Sequence, residues 1–397
     1  MIRLFDRVLE SPKRFVAGTH RAEAPAATLA RAKGLMRELG ITRLANLTGL
    51  DCLGVPVFAA IRPNGRSLST SQGKGLDDDA AAASALMESI ETWHAENLIL
   101  PVRRGAPRNM RENVTDVQKL ARATKKKIDL GAPIDWVQGW DLMRDEAVWV
   151  PKDAVTLDCV VPQDHRPVFD VSSNGLASGN HVLEAISHGL CEVIERDAES
   201  RWRARRGQHR LDLATVTDPA GRALLEKVRA AGVHVTVWDI TSDVGVPAFG
   251  AAFMEDPREP AWRSLGLYQG LGCHPSPAVA LLRALTEAAQ TRLTYIAGSR
   301  DDFFPDDYAR ATDPKLLLGI WKDLTTPAKG VVTWVDFAKL VPLDTPTFEG
   351  DVEMLLEKLA AVDVRSVIAV DLSQEKLGIP VVKVLVPGRA TRVELMG

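Results

Sequence analysis

Carboxylates recur in this chain at spacings that a helix would turn into one face. Take Glu184-Ala-Ile-Ser-His-Gly-Leu-Cys-Glu-Val-Ile-Glu-Arg196 and advance about 100° per residue. With Glu184 at 0°, Glu195 falls at roughly 20°, His188 at roughly 40°, Glu199 at roughly 60° and Glu192 at roughly 80°. Like charges at i,i+4 destabilise a helix, and a solvated face would interleave Lys or Arg. Leu183, Ile186, Leu190, Val193 and Ile194 fall elsewhere around the helix, so the acidic stripe is aimed at cations. Glu88 and Glu91 repeat an i,i+3 pair on the Ala-rich, nearly charge-free stretch 80–91, although a solvated face would also explain that pair alone. A third helical stretch carries Arg283, Glu287 and Gln290. Mg²⁺ takes hard oxygen ligands and joins carboxylates to substrate phosphates. With Lys74, Arg196 and Arg283 in the same motifs, the constellation suits magnesium and a nucleoside triphosphate. His188 reads either as a satisfied histidine or as a proton carrier or metal ligand, and adjacent carboxylates predict a raised pKa. His181 and His188 are both candidates for a general base.

Each acidic stretch follows a glycine-rich one: Ser71-Gln-Gly-Lys-Gly75, Ser173-Asn-Gly-Leu-Ala-Ser-Gly-Asn180 and Gly270-Leu-Gly-Cys-His-Pro-Ser-Pro277. These read as loops that offer free N–H groups and a helix dipole to phosphate. None is a standard phosphate motif: Gly73-Lys74 is followed by Gly75, and Gly270-x-Gly272 lacks the third glycine of a dinucleotide fingerprint. A second repeat positions them. Near 46–61, 239–253 and 370–386, a Thr or Ser precedes a short turn, Gly-[Val/Ile]-Pro and an apolar run, and a helix-period segment precedes each copy. Helix, strand, turn, strand predicts hairpins and an α+β fold rather than a doubly wound sheet. The stretch 101–135, with Arg103, Arg104 and Lys125–Lys127, reads as a helix with basic ends. The run 201–206 supplies cations to a helix C-terminus.

Composition sets outer bounds. The chain has 397 residues, with 49 Lys+Arg against 52 Asp+Glu, so bulk charge draws it to neither nucleic acid nor an acidic membrane. No signal-peptide or transmembrane pattern is read, and Cys52, Cys159, Cys191 and Cys273 have no zinc spacing. The expectation is a cytoplasmic protein with reduced thiols.

On Ser71-Gln-Gly-Lys-Gly75, Ser84-Ala-Leu-Met-Glu-Ser-Ile-Glu91, Glu184 to Arg196 and Arg283-Ala-Leu-Thr-Glu-Ala-Ala-Gln-Thr-Arg292, the chain resembles the YcaO family over nearly its whole length. The resemblance implies a single continuous catalytic domain, 1–397, whose three acidic helices line a site for ATP and Mg²⁺. It implies Glu88, Glu91, Glu192 and Glu195 as magnesium ligands. Arg21, Thr28, Ser71, Lys74, Asn180, Glu184 and Arg196 would hold nucleotide, and Arg283, Glu287 and His188 would serve catalysis. It further implies phosphorylation of a peptide backbone amide at oxygen, then addition of a nucleophile. The stretch Val386 to Gly397 does not show the Pro-rich repeat of azoline-forming members, and no peptide-docking domain is expected ahead of the core; both argue against a self-sufficient cyclodehydratase. Residues 49–56 and 272–277 look like the branch that works beside a TfuA-type partner. The leading expectation is therefore a peptide thioamide synthetase that receives sulfide from that partner and acts on a peptide or protein, and the resemblance favours a homodimer. The alternatives are an azoline-forming cyclodehydratase and a non-catalytic nucleotide-binding scaffold.

Overall fold

The computed structural model describes residues 2–389 apart from 6, 111–112, 124–126, 161–166, 205–207, 260–264 and 329. A short hairpin, β1 (Ile2–Leu4) and β2 (Arg7–Leu9), precedes α1 (Pro25–Leu35), β3 (Arg43–Asn46), β4 (Val57–Ile61), β5 (Thr70–Lys74) and α2 (Asp78–Glu96). Next come β6 (Arg103–Gly105), β7 (Ile134–Asp141), β8 (Glu146–Pro151), β9 (Leu176–Ser178) and α3 (Val182–Ala204). The third stretch is β10 (Gln208–Asp212), α4 (Pro219–Ala230), β11 (His234–Asp239), β12 (Ala248–Met254), β13 (Tyr268–Cys273) and α5 (Pro277–Ala297). Last are α6 (Pro305–Ala311), α7 (Pro314–Thr325), β14 (Val332–Asp336), α8 (Phe348–Ala361), β15 (Ile368–Asp371) and β16 (Val381–Leu385).

The three hairpins of the sequence repeat are present and antiparallel: β3–β4, β11–β12 and β15–β16, preceded by α1, α4 and α8. Each turns through Gly-[Val/Ile]-Pro. Gly54, Gly245 and Gly378 have φ of +61°, +74° and +63°, the left-handed region that a side chain disfavours. Pro56, Pro247 and Pro380 stand just before the second strand, where a missing N–H costs no ladder bond. A further strand then extends each hairpin: β5 pairs β4, β13 pairs β12, and β9 pairs β16. These three strands lie at sheet edges, in the orders β3-β4-β5, β13-β12-β11-β10-β14 and β6-β7-β15-β16-β9. Each edge strand leads into an acidic helix, α2, α5 or α3. In the third unit the edge strand and its helix come before the hairpin in the chain rather than after it.

The glycine-rich stretches are corrected by this arrangement. The first is strand through Lys74, the third is strand through Cys273, and the second turns at Gly175 (φ +78°) into the short strand Leu176–Ser178; at Gly73, Gly270 and Gly272 glycine serves close approach rather than turning. A Cβ on Gly73 would stand 2.0 Å from Ala85 N, one on Gly270 2.2 Å from Ala288 N, and one on Gly272 2.1 Å from Ala280 O. Helices α2 and α5 thus lie directly on the backbones of β5 and β13. Segment 101–135 is also corrected. It holds strand β6 and single 3₁₀ turns at Pro107–Asn109 and Val117–Lys119, with no α-helix among its described residues. Its basic residues lack the apolar period that would give a helix a buried face. Lys125, Lys126, Arg205, Arg206 and residues 390–397 lie outside the described residues.

Gly270→Ala is expected to lower stability by at least about 2 kcal/mol, because α5 must move off β13 to admit the methyl group. A urea midpoint equal to that of the native chain would disprove direct helix-on-backbone packing.

Candidate functional site

The three edge strands bring their helices to one place, and cross-links between units show it. Glu91 Oε1 on α2 accepts from Ser178 N at 2.8 Å and Ser178 Oγ at 2.6 Å on β9. Lys74 Nζ, at the end of β5, donates to Glu287 Oε2 on α5 at 2.5 Å. Gln290 Nε2 on α5 donates to Gln72 O on β5 at 2.9 Å.

Five carboxylates from three helices gather there: Glu88, Glu91, Glu192, Glu195 and Glu287. Burial pushes Glu88 up to about 7, against the pull of Lys74 and Arg300. Burial pushes Glu91 up to about 8; the Ser178 hydrogen bonds oppose this and the charge of Glu88 adds to it. Glu195 rises to about 7 through burial, which outweighs Arg196, and Glu192 is raised for the same reason. Glu287 is the exception: burial would raise it, but Lys74 and Arg196 hold it below the ordinary carboxylate value. Its second oxygen accepts from Leu271 N at 3.2 Å. Glu195 Oε2 is buried with no hydrogen-bond partner among the described residues. An all-carboxylate donor set with an open oxygen fits Mg²⁺ and does not suit softer metals.

One end of α3 carries a different patch. Glu184 Oε2 accepts from Ala22 N at 3.0 Å and Asn180 N at 3.2 Å, and Arg21 stands 3.5 Å from Glu184 Oε1. Asn180 Oδ1 accepts from Thr28 Oγ1 and Arg31 Nη2, both at 2.9 Å. The N-terminal segment thus meets the first turn of α3 at Arg21 and Thr28. Eleven residues of helix, about 16 Å, separate Glu184 from Glu195. Arg283 bridges the two regions. Its Nη2 lies 2.9 Å from His188 Nε2 as a donor, and its Nε is buried without a partner among the described residues, which suits an anion.

His188 overturns one expectation. Its pKa lies well below the ordinary histidine value because burial comes first and Arg283, Arg21 and Lys74 add positive charge. It is a neutral acceptor that orients Arg283. His181 Nδ1 accepts from Leu183 N at 3.2 Å, so it caps the start of α3. Ser71 is buried on the β5 face that carries Gly73, the face packed against α2, and opposite the face sending Lys74 to Glu287. Glu199 leaves the open stripe, because Arg203 Nη2 donates to it at 2.7 Å and Arg196 stands 3.5 Å away. Sequence reasoning missed Arg31 and Lys383, and it placed the loop 298–303 near the site without giving Arg300 a role. Lys383 is a buried β16 lysine brought down to about 8 by burial, with Glu192 opposing, and its Nζ donates to Ser172 O. Lys383 comes from β16, remote in sequence from the acidic helices, with no local pattern to announce it.

A buried carboxylate cluster flanked by cations, at the meeting of three strand–helix edges, defines an ATP- and magnesium-binding α+β protein. The comparisons carry this to a family. The family model described as YcaO cyclodehydratase, ATP- and Mg²⁺-binding, matches residues 72–390. A Rhizobium leguminosarum bv. trifolii protein from the tfuA 3′ region is 36% identical over 389 residues, covering 93% of this chain and 88% of its own length. The chain belongs to the YcaO family. The structure of YcaO from Methanopyrus kandleri bound with AMPPCP and Mg²⁺ superposes with a TM-score of 0.75 at 27% identity, covering 96% of this chain and 95% of that one. A heterocyclase in complex with substrate and cofactor shares the fold at a TM-score of 0.81 and 22% identity; the match covers 97% of this chain but 54% of that one. Among the described residues no helix is long and apolar enough to cross a membrane.

Glutamates with raised folded pKa values hold protons in the fold that they lose in the unfolded chain above about pH 4.5. Each therefore removes stability as pH rises through its folded value, about 7 for Glu88 and Glu195 and about 8 for Glu91. The metal-free protein should show a Tm that falls from about pH 5 to about pH 8. Mg²⁺ with AMPPCP should raise Tm more at the upper end of that window than at the lower. A Tm gain independent of pH would mean that these carboxylates do not bind the ion.

Proposed function

We propose that this chain activates a peptide backbone amide with ATP. The observation that carries the reading is the buried carboxylate cluster with two unpartnered polar atoms, Glu195 Oε2 and Arg283 Nε. Mg·ATP, when bound, would supply an electrophilic γ-phosphorus: the amide oxygen bonds to it as the bond to departing ADP breaks, and that oxygen can then leave as phosphate. Glu88, Glu91, Glu192 and Glu195 hold the metal. Lys74, Arg196 and Arg283 face the phosphates and answer charge as it shifts. Asn180, Glu184, Arg21 and Thr28 hold the nucleoside end, and His188 fixes the Arg283 guanidinium. An amide oxygen is a weak nucleophile, so positioning must contribute much of the rate.

The group that then adds to the activated carbon separates two readings. The family description and the likeness to a heterocyclase favour a Cys, Ser or Thr side chain of the substrate, giving an azoline with loss of water. The Rhizobium relative from the tfuA 3′ region favours external sulfide delivered by a TfuA-like partner, giving a thioamide. Of the two, the family description and the solved neighbours speak more directly for ring closure.

Incubation with ATP, Mg²⁺, candidate peptides and, in a parallel arm, sulfide with a TfuA-like protein separates them by mass: loss of water against exchange of oxygen for sulfur. Starting from ¹⁸O-labelled amide, either route should place the label in released phosphate. Glu192→Gln with Glu195→Gln is expected to lower ATP turnover by at least about 100-fold. Peptide modification that survives in that variant would overturn the metal assignment.

A further inference from the structure

Beyond the carboxylate cluster, on the side away from Glu184, lies a cavity of about 180 Å³ that includes Arg196 and Glu287 in its walls. Its remaining walls contribute no carboxylate to the five-membered cluster. One is the last turns of α3, with Glu199, Trp202 and Arg203; the other is the sheet face of Trp238, Gly250, Gln269 and Leu271. The register explains the hollow. Trp238 on β11 stands opposite Gly250 on β12, and Gly250 stands opposite Leu271 on β13. The middle position of that row has no side chain, so space opens between sheet and helix. The Trp202 and Trp238 rings meet at 5.4 Å and 50° along one border, and the Glu199–Arg203 ion pair lies on another.

Size and position limit the occupant. A cavity of about 150 Å³ holds one benzene, so this one takes a single small planar unit and not a nucleoside. It shares Glu287 and Arg196 with the cluster, so its contents would lie beside the phosphates. Indole faces suit a planar peptide group or a small apolar side chain, and the bare backbone at Gly250 lets another chain come close.

We infer that this cavity is the seat of the peptide segment whose amide is activated, and that it takes one peptide group whose adjoining residue bears no more than a small side chain. The inference rests on the amide-activation reading above. Trp202 and Gly250 are then specificity-determining residues.

Gly250→Val is the filling variant. A Cβ there would make only ordinary contacts, 3.6 Å to Leu271 and 3.7 Å to Ile240, so the added side chain can enter the hollow. The probe is N-acetyl-triglycine amide, observed by saturation-transfer NMR in the presence of AMPPCP and Mg²⁺. The native protein should bind it. Gly250→Val should weaken it by at least about tenfold while AMPPCP affinity, by calorimetry, changes less than about twofold. A probe with a central leucine should bind the native protein at least about tenfold more weakly than the glycine probe. No binding by the native protein, equal binding by Gly250→Val, or equal binding of the leucine probe would overturn the inference. So would loss of AMPPCP binding in a Gly250→Val protein with native Tm, since the cavity would then belong to the nucleotide. Probe binding in the expected pattern, with no ¹⁸O transfer to phosphate in any peptide assay, would leave a peptide seat and remove the amide-activation reading. The two therefore fail separately.

Discussion

Like charges buried together are the constraint on which this structure turns. Carboxylates taken out of water each carry a cost of several kcal/mol unless paired or protonated. Here four of the five in the cluster rise in pKa and only Glu287, clasped by Lys74, does not. An interior built this way has to take up protons or cations to relieve its charge. The sheets respond by supplying three edges. Each edge strand delivers one helix, and glycines on β5 and β13 let two of those helices settle onto bare backbone. Methyl groups at those glycines would displace the helices outward, and the carboxylates with them.

Much of this was legible in the residues. The stripe from Glu184 to Glu195 follows from helical period alone, and the Gly-[Val/Ile]-Pro corners announce their hairpins because glycine and proline have narrow physical uses there. What stayed hidden has equally physical causes. Glycine signals either unusual dihedrals or a missing Cβ, and sequence does not separate them, so Gly73 and Gly270 read as loops. His188 sees acids on its own helix, which predicts a raised pKa; Arg283, Arg21 and Lys74 arrive from other elements and reverse the sign. The third unit completes itself with a strand, β9, that lies far ahead of its hairpin in the chain, an order no local pattern reveals. Trp202 is the one aromatic within the basic run 201–206, and its neighbour Trp238 comes from β11, far along the chain.

Helix α3 organises the centre by having different company along its length. At its start, neutral and cationic groups from the N-terminal segment surround Glu184 and Asn180. In its middle, acids from three helices meet. Near its end, indoles and a glycine-floored hollow take over. One rigid rod thus sets the spacing between chemically distinct regions, so their separation depends little on loop conformation.

The Lys74–Glu287 clasp makes one member of the cluster unlike the rest. The ammonium is a counter-ion supplied from within the chain, so Glu287 keeps its negative charge without help from solvent. Removing that ammonium would leave a fifth buried carboxylate to be protonated or paired. The clasp is thus a built-in ballast that keeps the cluster from carrying its whole charge unrelieved.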